Sequence, residues 1–340
     1  MAKKLLKKSS ECLDVLELKQ VTHYLSTGCT ILDLAIADKL PGGFGGGRIS
    51  HIWGPESTGK SIISLEPLGS AQRQGGNATF IDAEGTLDLE RAQGLFGVDT
   101  ENLNYISPIT NSDLQEITIE YLFDDPIEKA LKKAKAEAPS VLSVDSISAV
   151  SSDMEMDEKD PYGSSRAKAL SAEFRKKIWH LSQKNLALIF VDQARQKIGA
   201  GSFQKQTTFS GGNALRFYAS TRVNITLKEK LLNKHKKVIG IKVGFDIEKN
   251  KIAPPFRNGT FRILFDYGID DISSSLDWLQ DHGYLGSTTG YVIWLDDKKY
   301  RFDELVCHIE ENSLEDELTD FVYDSWKEIY AKVDRKRKIR

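Results

Sequence analysis

The sequence has only 3 cysteines among its 340 residues, Cys12, Cys29 and Cys307. Three scattered thiols make neither a disulfide framework nor a CxxC metal site, which points to a reducing compartment. Also absent is any apolar run approaching the roughly 20 residues needed to span a bilayer, and the N-terminal stretch carries no apolar signal-peptide segment. A soluble, cytoplasmic chain with no membrane role is the expectation. Neither sign of charge dominates: 46 Lys plus Arg stand against 49 Asp plus Glu, a formal net charge of -3. Because a bulk basic surplus is the usual footprint of nucleic-acid binding, composition alone gives no hint of such a partner. What is present is 40% hydrophobic residues. At roughly 100 to 200 residues per domain, the length suggests two or three domains with a sizeable core.

Between about residues 45 and 225, short β-branched runs alternate with longer helical patterns, the signature of an α/β fold with a mostly parallel central sheet. The strand candidates are Ile49–Trp53, Ala78–Asp82, Val141–Asp145, Ala187–Asp192 and Thr221–Thr226. Helical stretches lie at Lys60–Gln74, Leu114–Lys135 and Arg166–Gln183, and a short one is expected over Ser10–Val21. Ile239–Glu248 and Thr260–Phe265 follow without helices between them and predict an antiparallel edge. Pro67 should kink the first long helix, and Pro126 should split the Leu114–Lys135 region. After Tyr267 the pattern becomes a strand near Tyr291–Leu295 and helices near Ser274–His282 and Ser313–Lys332, a small α+β C-terminal domain.

Gly54-Pro55-Glu56-Ser57-Thr58-Gly59-Lys60-Ser61 is a full GxxxxGK[ST] loop placed after a strand and opening a helix. Backbone N–H groups of such a loop wrap phosphates, Lys60 would neutralise phosphate charge, and the Ser61 hydroxyl would ligate Mg²⁺. The upstream Gly42–Gly47 run precedes a strand and lacks the GxGxxG spacing, so it reads as a turn rather than a dinucleotide site. Asp145 ends an apolar strand, the arrangement that holds a Mg²⁺ water shell beside a phosphate loop. Glu84 follows another strand at the carboxyl edge, where a carboxylate can deprotonate an attacking water; a solvated loop acid is the alternative. Gln193 ends the Leu188–Gln193 run, where its amide could contact the γ-phosphate.

Together these motifs resemble the RecA-type recombinases. GPESTGKS at 54–61, FIDAE at 80–84, VDS at 144–146, GGNALRFYAS at 211–220 and KNKIAP at 249–254 stand in the family's order, over roughly residues 25 to 268. The short basic N-terminus and the C-terminal third look more like those of a phage-encoded member. The resemblance implies a RecA-like P-loop NTPase core over 25–268, an N-terminal oligomerisation segment over 1–24, and a small C-terminal α+β domain with a basic tail over 269–340. It implies a DNA-dependent ATPase that uses ATP and Mg²⁺, forms a helical filament on single-stranded DNA, and exchanges strands with homologous duplex. Single-strand-binding or loader proteins would be further partners. Within that pattern Glu84 is the water-activating base, Gln193 the γ-phosphate sensor, and Lys249 and Lys251 reach the γ-phosphate of a neighbouring protomer. Such a cation is worth on the order of 10³ to 10⁵ in rate in Ras-type systems. Asp88, Arg91 and Phe265 fall at the base pocket, with Arg91 where the family commonly has a stacking Tyr.

For DNA, the segment after Gln193 interleaves Arg195, Lys197 and Lys205 with Phe203 and Phe209 and leads to Gly211, Gly212 and Asn213, whose amides would bind phosphates. An earlier loop, Ser151–Ser165, is acidic through Asp153, Glu155, Asp157, Glu158 and Asp160 and departs from the family. Lys168 and Arg175, seven residues apart on the next helix, share a face and are the better candidates. A solvated helix face is the bland alternative. The terminal run Asp334–Arg340 is basic and could attract duplex DNA. Two other readings remain at this stage, a hexameric helicase-type motor and a non-catalytic DNA-coating protein on the same core.

Overall fold

The computed structural model describes residues 20–110, 116–156, 165–196, 207–209, 214–288 and 290–331, without the side chains of 156, 195, 196 and 207–209. The strands are β1 (Tyr24–Leu25), β2 (Phe44–Gly45), β3 (Ile49–Gly54), β4 (Ala78–Asp82), β5 (Leu103–Ile106), β6 (Ser140–Asp145), β7 (Leu186–Gln196), β8 (Thr207–Phe209), β9 (Thr221–Leu232), β10 (Val238–Asn250), β11 (Asn258–Leu264) and β12 (Gly268–Asp270). All but the first two join one sheet, in the order β12-β11-β10-β9-β3-β7-β6-β4-β5, with β8 paired to β7. From β9 to β5 the pairing is parallel. From β9 to β12 it is antiparallel, the edge that the helix-free run of strands predicts.

Strand alternation sends side chains to two faces. In β7, Leu186, Leu188 and Phe190 enter a cluster with Leu142, Phe123 and Phe174, while Ala187 and Ile189 enter another with Ile52, Ile63 and Phe80. Helices Ile119–Leu122, Glu128–Lys133 and Ser165–Ser182 cover the first face; Thr30–Ala37, Lys60–Arg73 and Leu89–Phe96 cover the second. Phe174 meets Phe123 and Phe190 edge-on, at 5.1 and 5.6 Å. The sheet is thus buried on both sides, and its strands read as near-continuous apolar runs.

Both prolines lie inside helical stretches rather than ending them. The Lys60–Arg73 helix runs on through Pro67 as one element. At Pro126 the helix is not split: a π-helical turn, Phe123–Ile127, joins the flanking α-helical segments. A wider turn accommodates the missing proline donor without ending the helix. The helix expected over Ser10–Val21 lies almost wholly outside the described residues, and Gln20 and Val21 are not helical.

After β12 come helix Asp271–Asp281, a three-stranded antiparallel sheet of β13 (Ser287–Thr288), β14 (Tyr291–Ile293) and β15 (Lys299–Tyr300), and helices Phe302–Glu311 and Glu315–Ile329. Their Trp278, Leu305 and Trp326 belong to the same apolar cluster as Ile31 and Phe261. Polar contacts reinforce this packing. Thr30 donates through its backbone N–H and its hydroxyl to Asp271, at 2.7 and 2.6 Å, and the Trp326 indole donates to Asp38 at 3.1 Å. No helix among the described residues is long and apolar enough to cross a membrane.

Candidate nucleotide site and DNA-facing surface

β3 delivers Gly54 at its carboxyl end, and the loop that follows opens the Lys60–Arg73 helix. Gly54 is required because a Cβ there would lie 2.1 Å from the Ile225 carbonyl oxygen of β9. Gly59, at φ 82°, adopts the left-handed region that side chains disfavour. No side chain caps the helix at Gly59, so its first N–H groups remain available to an anion. Pro55, Glu56, Ser57 and Ser61 are exposed, whereas Thr58 and Lys60 are buried. The Thr58 hydroxyl and the Lys60 ammonium both donate to the Pro55 carbonyl, at 2.9 and 2.5 Å. Burial pulls the Lys60 pKa down, opposed by Asp145, Glu56, Glu84 and Asp192.

Parallel neighbours bring the carboxylates to the same edge. Asp145 ends β6 opposite Asp82 of β4, and Ala83 donates to the Asp145 carbonyl at 2.9 Å. Burial pushes the Asp145 carboxyl up to about 6; the Ser61 hydroxyl bonded to it and the Lys60 charge pull the other way, while Glu84 and Asp82 add to the rise. A hydroxyl and a carboxylate in contact at a phosphate loop, in a pocket that disfavours uncompensated negative charge, fit Mg²⁺, which takes few protein oxygens and keeps waters. Among the described residues no group of three or more His, Cys, Asp or Glu could hold a metal by itself. Glu84 Oε1 accepts from Ser146 Oγ at 2.6 Å and from Gln193 Nε2 at 3.0 Å. Both donors settle on one oxygen, which leaves Oε2 for other partners.

Beside Ser61 and Asp145 lies a cavity of about 220 Å³ lined by Ile62, Leu87, Asp88 and Arg91. Asp88 caps helix Leu89–Phe96 by accepting from the Arg91 backbone N–H at 3.0 Å. The Arg91 guanidinium donates to the Phe265 carbonyl, so these two sequence candidates are neighbours. Phe265 keeps an exposed ring.

Lys249 and Lys251 do not join this site within the protomer. Lys249 pairs with Arg222, and Arg222 with His51, three residues before Gly54 and two strands away. At about 3.3 Å per residue and 4.8 Å per strand, that is about 14 Å, on the side away from the loop. The Lys249 ammonium instead donates to the carbonyls of Arg216 and Phe217, at 2.9 and 2.8 Å. Burial, with Lys251 and Arg222 nearby, lowers its pKa to about 8.

Lys168 and Arg175 are both exposed on helix Ser165–Ser182, as their spacing predicts, and Arg175 Nε donates to its own helix at Ser171 O, 3.1 Å away. Glu155, in the acidic segment, pairs with Arg166 at 3.2 Å. Arg195 lies in β7 with its side chain undescribed; Lys197, Phe203, Lys205, Gly211, Gly212 and Asn213 lie outside the described residues, as does the basic run from Asp334, and Phe209 is described by its backbone alone.

Two supporting residues escaped the sequence reading. Ser146 orients Glu84, and its signal was only a hydroxyl directly after the strand acid. Asp82 accepts from the N–H groups of Gly85 and Leu87, each at 2.8 Å, and from the Tyr105 hydroxyl at 2.9 Å, which shapes the turn carrying Glu84. The D-A-E-G spacing is a signal for that turn.

A model of the RecA N-terminal domain matches residues 3–270. The chain is similar to Protein RecA of Helicobacter hepaticus, 35% identical over 299 residues that cover 87% of this chain and 82% of that protein. It is also similar to Protein RecA of Nostoc sp., 35% identical over 263 residues, 77% of this chain and 68% of the relative. With Protein RecA of Thermus thermophilus the identity is 37% over 257 residues, 75% and 71% of the two chains.

Proposed function

The chain belongs to the RecA family, and on that premise we propose that it is an ATP-dependent recombinase that coats single-stranded DNA as a filament, hydrolyses ATP in response to DNA, and exchanges strands with homologous duplex. The observation that carries this reading is the convergence of Lys60, Ser61, Asp145, Glu84 and Gln193 at the carboxyl ends of β3, β6, β4 and β7. The loop amides and Lys60 would hold the phosphates of ATP. Mg²⁺, held by Ser61 and Asp145, would neutralise phosphate charge and orient the oxygens. Glu84, fixed through Oε1 by Ser146 and Gln193, has its second oxygen free of those two donors to take a proton from the attacking water. The cavity beside Asp88 and Arg91, with Phe265 next to Arg91, suits the base.

Lys249, about 14 Å from the loop of its own protomer, and Lys251, further still, would serve the nucleotide of the next one, so that ATP bridges protomers. The 1–24 segment would pack on a neighbour, residues 25–268 would form the ATPase core, and 269–340 a C-terminal unit whose basic tail attracts duplex. Gln193 would pass the state of the γ-phosphate to the segment from Arg195 to Asn213, which with Lys168 and Arg175 lines the single strand. Cytoplasmic placement and single-strand-binding or loader partners complete the reading. A helicase-type ring or a non-catalytic coat is set aside, because the family match runs through the whole core.

Negative-stain microscopy with single-stranded DNA and a slowly hydrolysed ATP analogue, alongside a strand-exchange assay, tests the proposal. Extended helical filaments and joint molecules are expected. Closed rings with no joint molecules would overturn it.

A further inference from the structure

A line of polar side chains, fully buried at Asp192 and His51 and open to solvent at Glu248, crosses the central sheet just below the phosphate loop. Starting from the nucleotide side, the Gln193 backbone N–H donates to Ser148 Oγ at 3.0 Å, and Ser148 Oγ–H donates to Asp192 Oδ1 at 2.9 Å. Asp192 Oδ2 lies 3.3 Å from His51 Nε2, and both side chains are fully buried. Arg222 Nε donates to His51 Nδ1 at 3.2 Å, and Arg222 Nη1 pairs with Glu248 at 2.7 Å. The Trp53 indole donates to Glu248 at 3.2 Å. Asp192, His51, Arg222 and Glu248 therefore sit on four adjacent strands, β7, β3, β9 and β10: His51 and Arg222 are direct partners, Asp192 pairs with Trp53 two residues along β3, and Glu248 lies at the irregularity between Ile247 and Lys249.

Because Arg222 can only donate, Nδ1 of His51 must accept, which leaves the ring proton on Nε2, facing Asp192. One tautomer is selected: Arg222 fixes the ring at Nδ1, and Nε2 faces the Asp192 carboxylate at 3.3 Å in a contact outside hydrogen-bond geometry. Burial lowers the His51 pKa, so the ring is neutral. Stability alone does not call for such an arrangement: replacing buried ionic groups by well-packed apolar residues is often neutral or stabilising, whereas removing one member leaves the others uncompensated. The two ends of the line are also not arbitrary. One is the backbone of Gln193, whose side chain holds Glu84. The other is Glu248, next to Lys249, on a surface hollow of about 430 Å³ shared with Arg216 and Phe256. The Arg216 carbonyl in turn holds the Lys249 ammonium.

We propose that Ser148, Asp192, His51, Arg222 and Glu248 are positioning residues that couple the nucleotide site of a protomer to the surface with which the same protomer completes its neighbour's site. A shift of the Gln193 backbone on loss of the γ-phosphate is felt at Ser148, and a rigid, single-tautomer line passes it to β10. This rests on the reading that Lys249 acts on the next protomer.

The test is a double-mutant cycle between the ends, Ser148→Ala and Glu248→Gln, read as DNA-stimulated kcat, the Hill coefficient for ATP, and the affinity of single protomers for a fluorescent ATP analogue. The ends are three strand spacings apart, about 14 Å, a separation at which independent effects multiply to within about twofold. Nucleotide affinity within about threefold of the parent is expected for each single variant, with a Hill coefficient falling towards 1 and a double variant departing at least about fivefold from the product of the singles. His51→Gln, which keeps an amide donor towards Asp192, should retain more cooperativity than His51→Leu at matched thermal stability. Multiplicative singles, or equal loss in both His51 variants, would overturn the coupling. If the parent protein shows no DNA-stimulated hydrolysis at all, it is the functional reading that fails, and the two failures are distinct.

Discussion

Glu84 is a carboxylate with one oxygen committed and the other available, and that asymmetry sets what it can do. Ser146 and Gln193 both donate to Oε1, so the group is oriented before substrate arrives. General-base catalysis by a positioned side chain contributes about 10² to 10⁴ in rate. Glu84→Gln should therefore lower single-turnover hydrolysis by that factor while leaving affinity for a fluorescent ATP analogue within about threefold. A variant that hydrolyses at the parental rate would remove Glu84 from the chemistry. Lys60 and Glu84 are legible from sequence because their motifs are local: a loop that must wrap phosphates needs its glycines and lysine at fixed spacing. Ser146, Asp82 and His51 are not, since each acquires its role from a strand distant in sequence.

Among the elements, apolar runs give β3, β4 and β6 to within a residue, because strands buried on both faces must be apolar throughout, and β10 to within two; β7 and β9 run four and six residues past their expected ends, into more polar sequence. β5, Leu103–Ile106, is an edge strand carrying Asn104, and it escapes that pattern. Helix Phe302–Glu311, with Leu305 and Ile309 buried, also escapes the sequence reading. The π-helical turn at Pro126 depends on continuous burial of Phe123 and Ile127, which no local signal near a proline reveals. Helix Glu315–Ile329 docks through Trp326, 1% exposed, with the Arg257 guanidinium 5.1 Å from its ring centroid. Trp326→Ala should cost about 3 to 5 kcal/mol of stability by creating a cavity there. Chemical denaturation measures it, and a loss below about 1 kcal/mol would mean that this helix is not anchored by its tryptophan.

For the molecule as a whole, a net charge of -3 is compatible with DNA binding, because the sum does not report where charges lie. Exposed Lys168 and Arg175 stand on one face while part of the acidic excess is internal. Burial raises the carboxyls of Asp33 to about 7, of Glu66 to about 8 and of Asp271 to about 6. Their folded values lie above the unfolded ones, near 4. The fold thus retains protons that the unfolded chain has released. No penalty applies below pH 4; it grows as pH rises and is complete above about 8. Thermal scans should give a lower Tm at pH 8.5 than at pH 6, with a smaller difference in Glu66→Gln. A Tm that rises steadily over that interval would contradict the protonated cluster.

The central claim is that this site hydrolyses ATP under the control of DNA, and the steady-state rate with and without single-stranded DNA tests it most directly. The account predicts slow hydrolysis by the free protein, at least about tenfold stimulation by single-stranded DNA, and no activity in Lys60→Ala, the last because removing a buried charge-neutralising group at the phosphates leaves the transition state uncompensated. Hydrolysis that proceeds equally without DNA, or that survives Lys60→Ala, would contradict it.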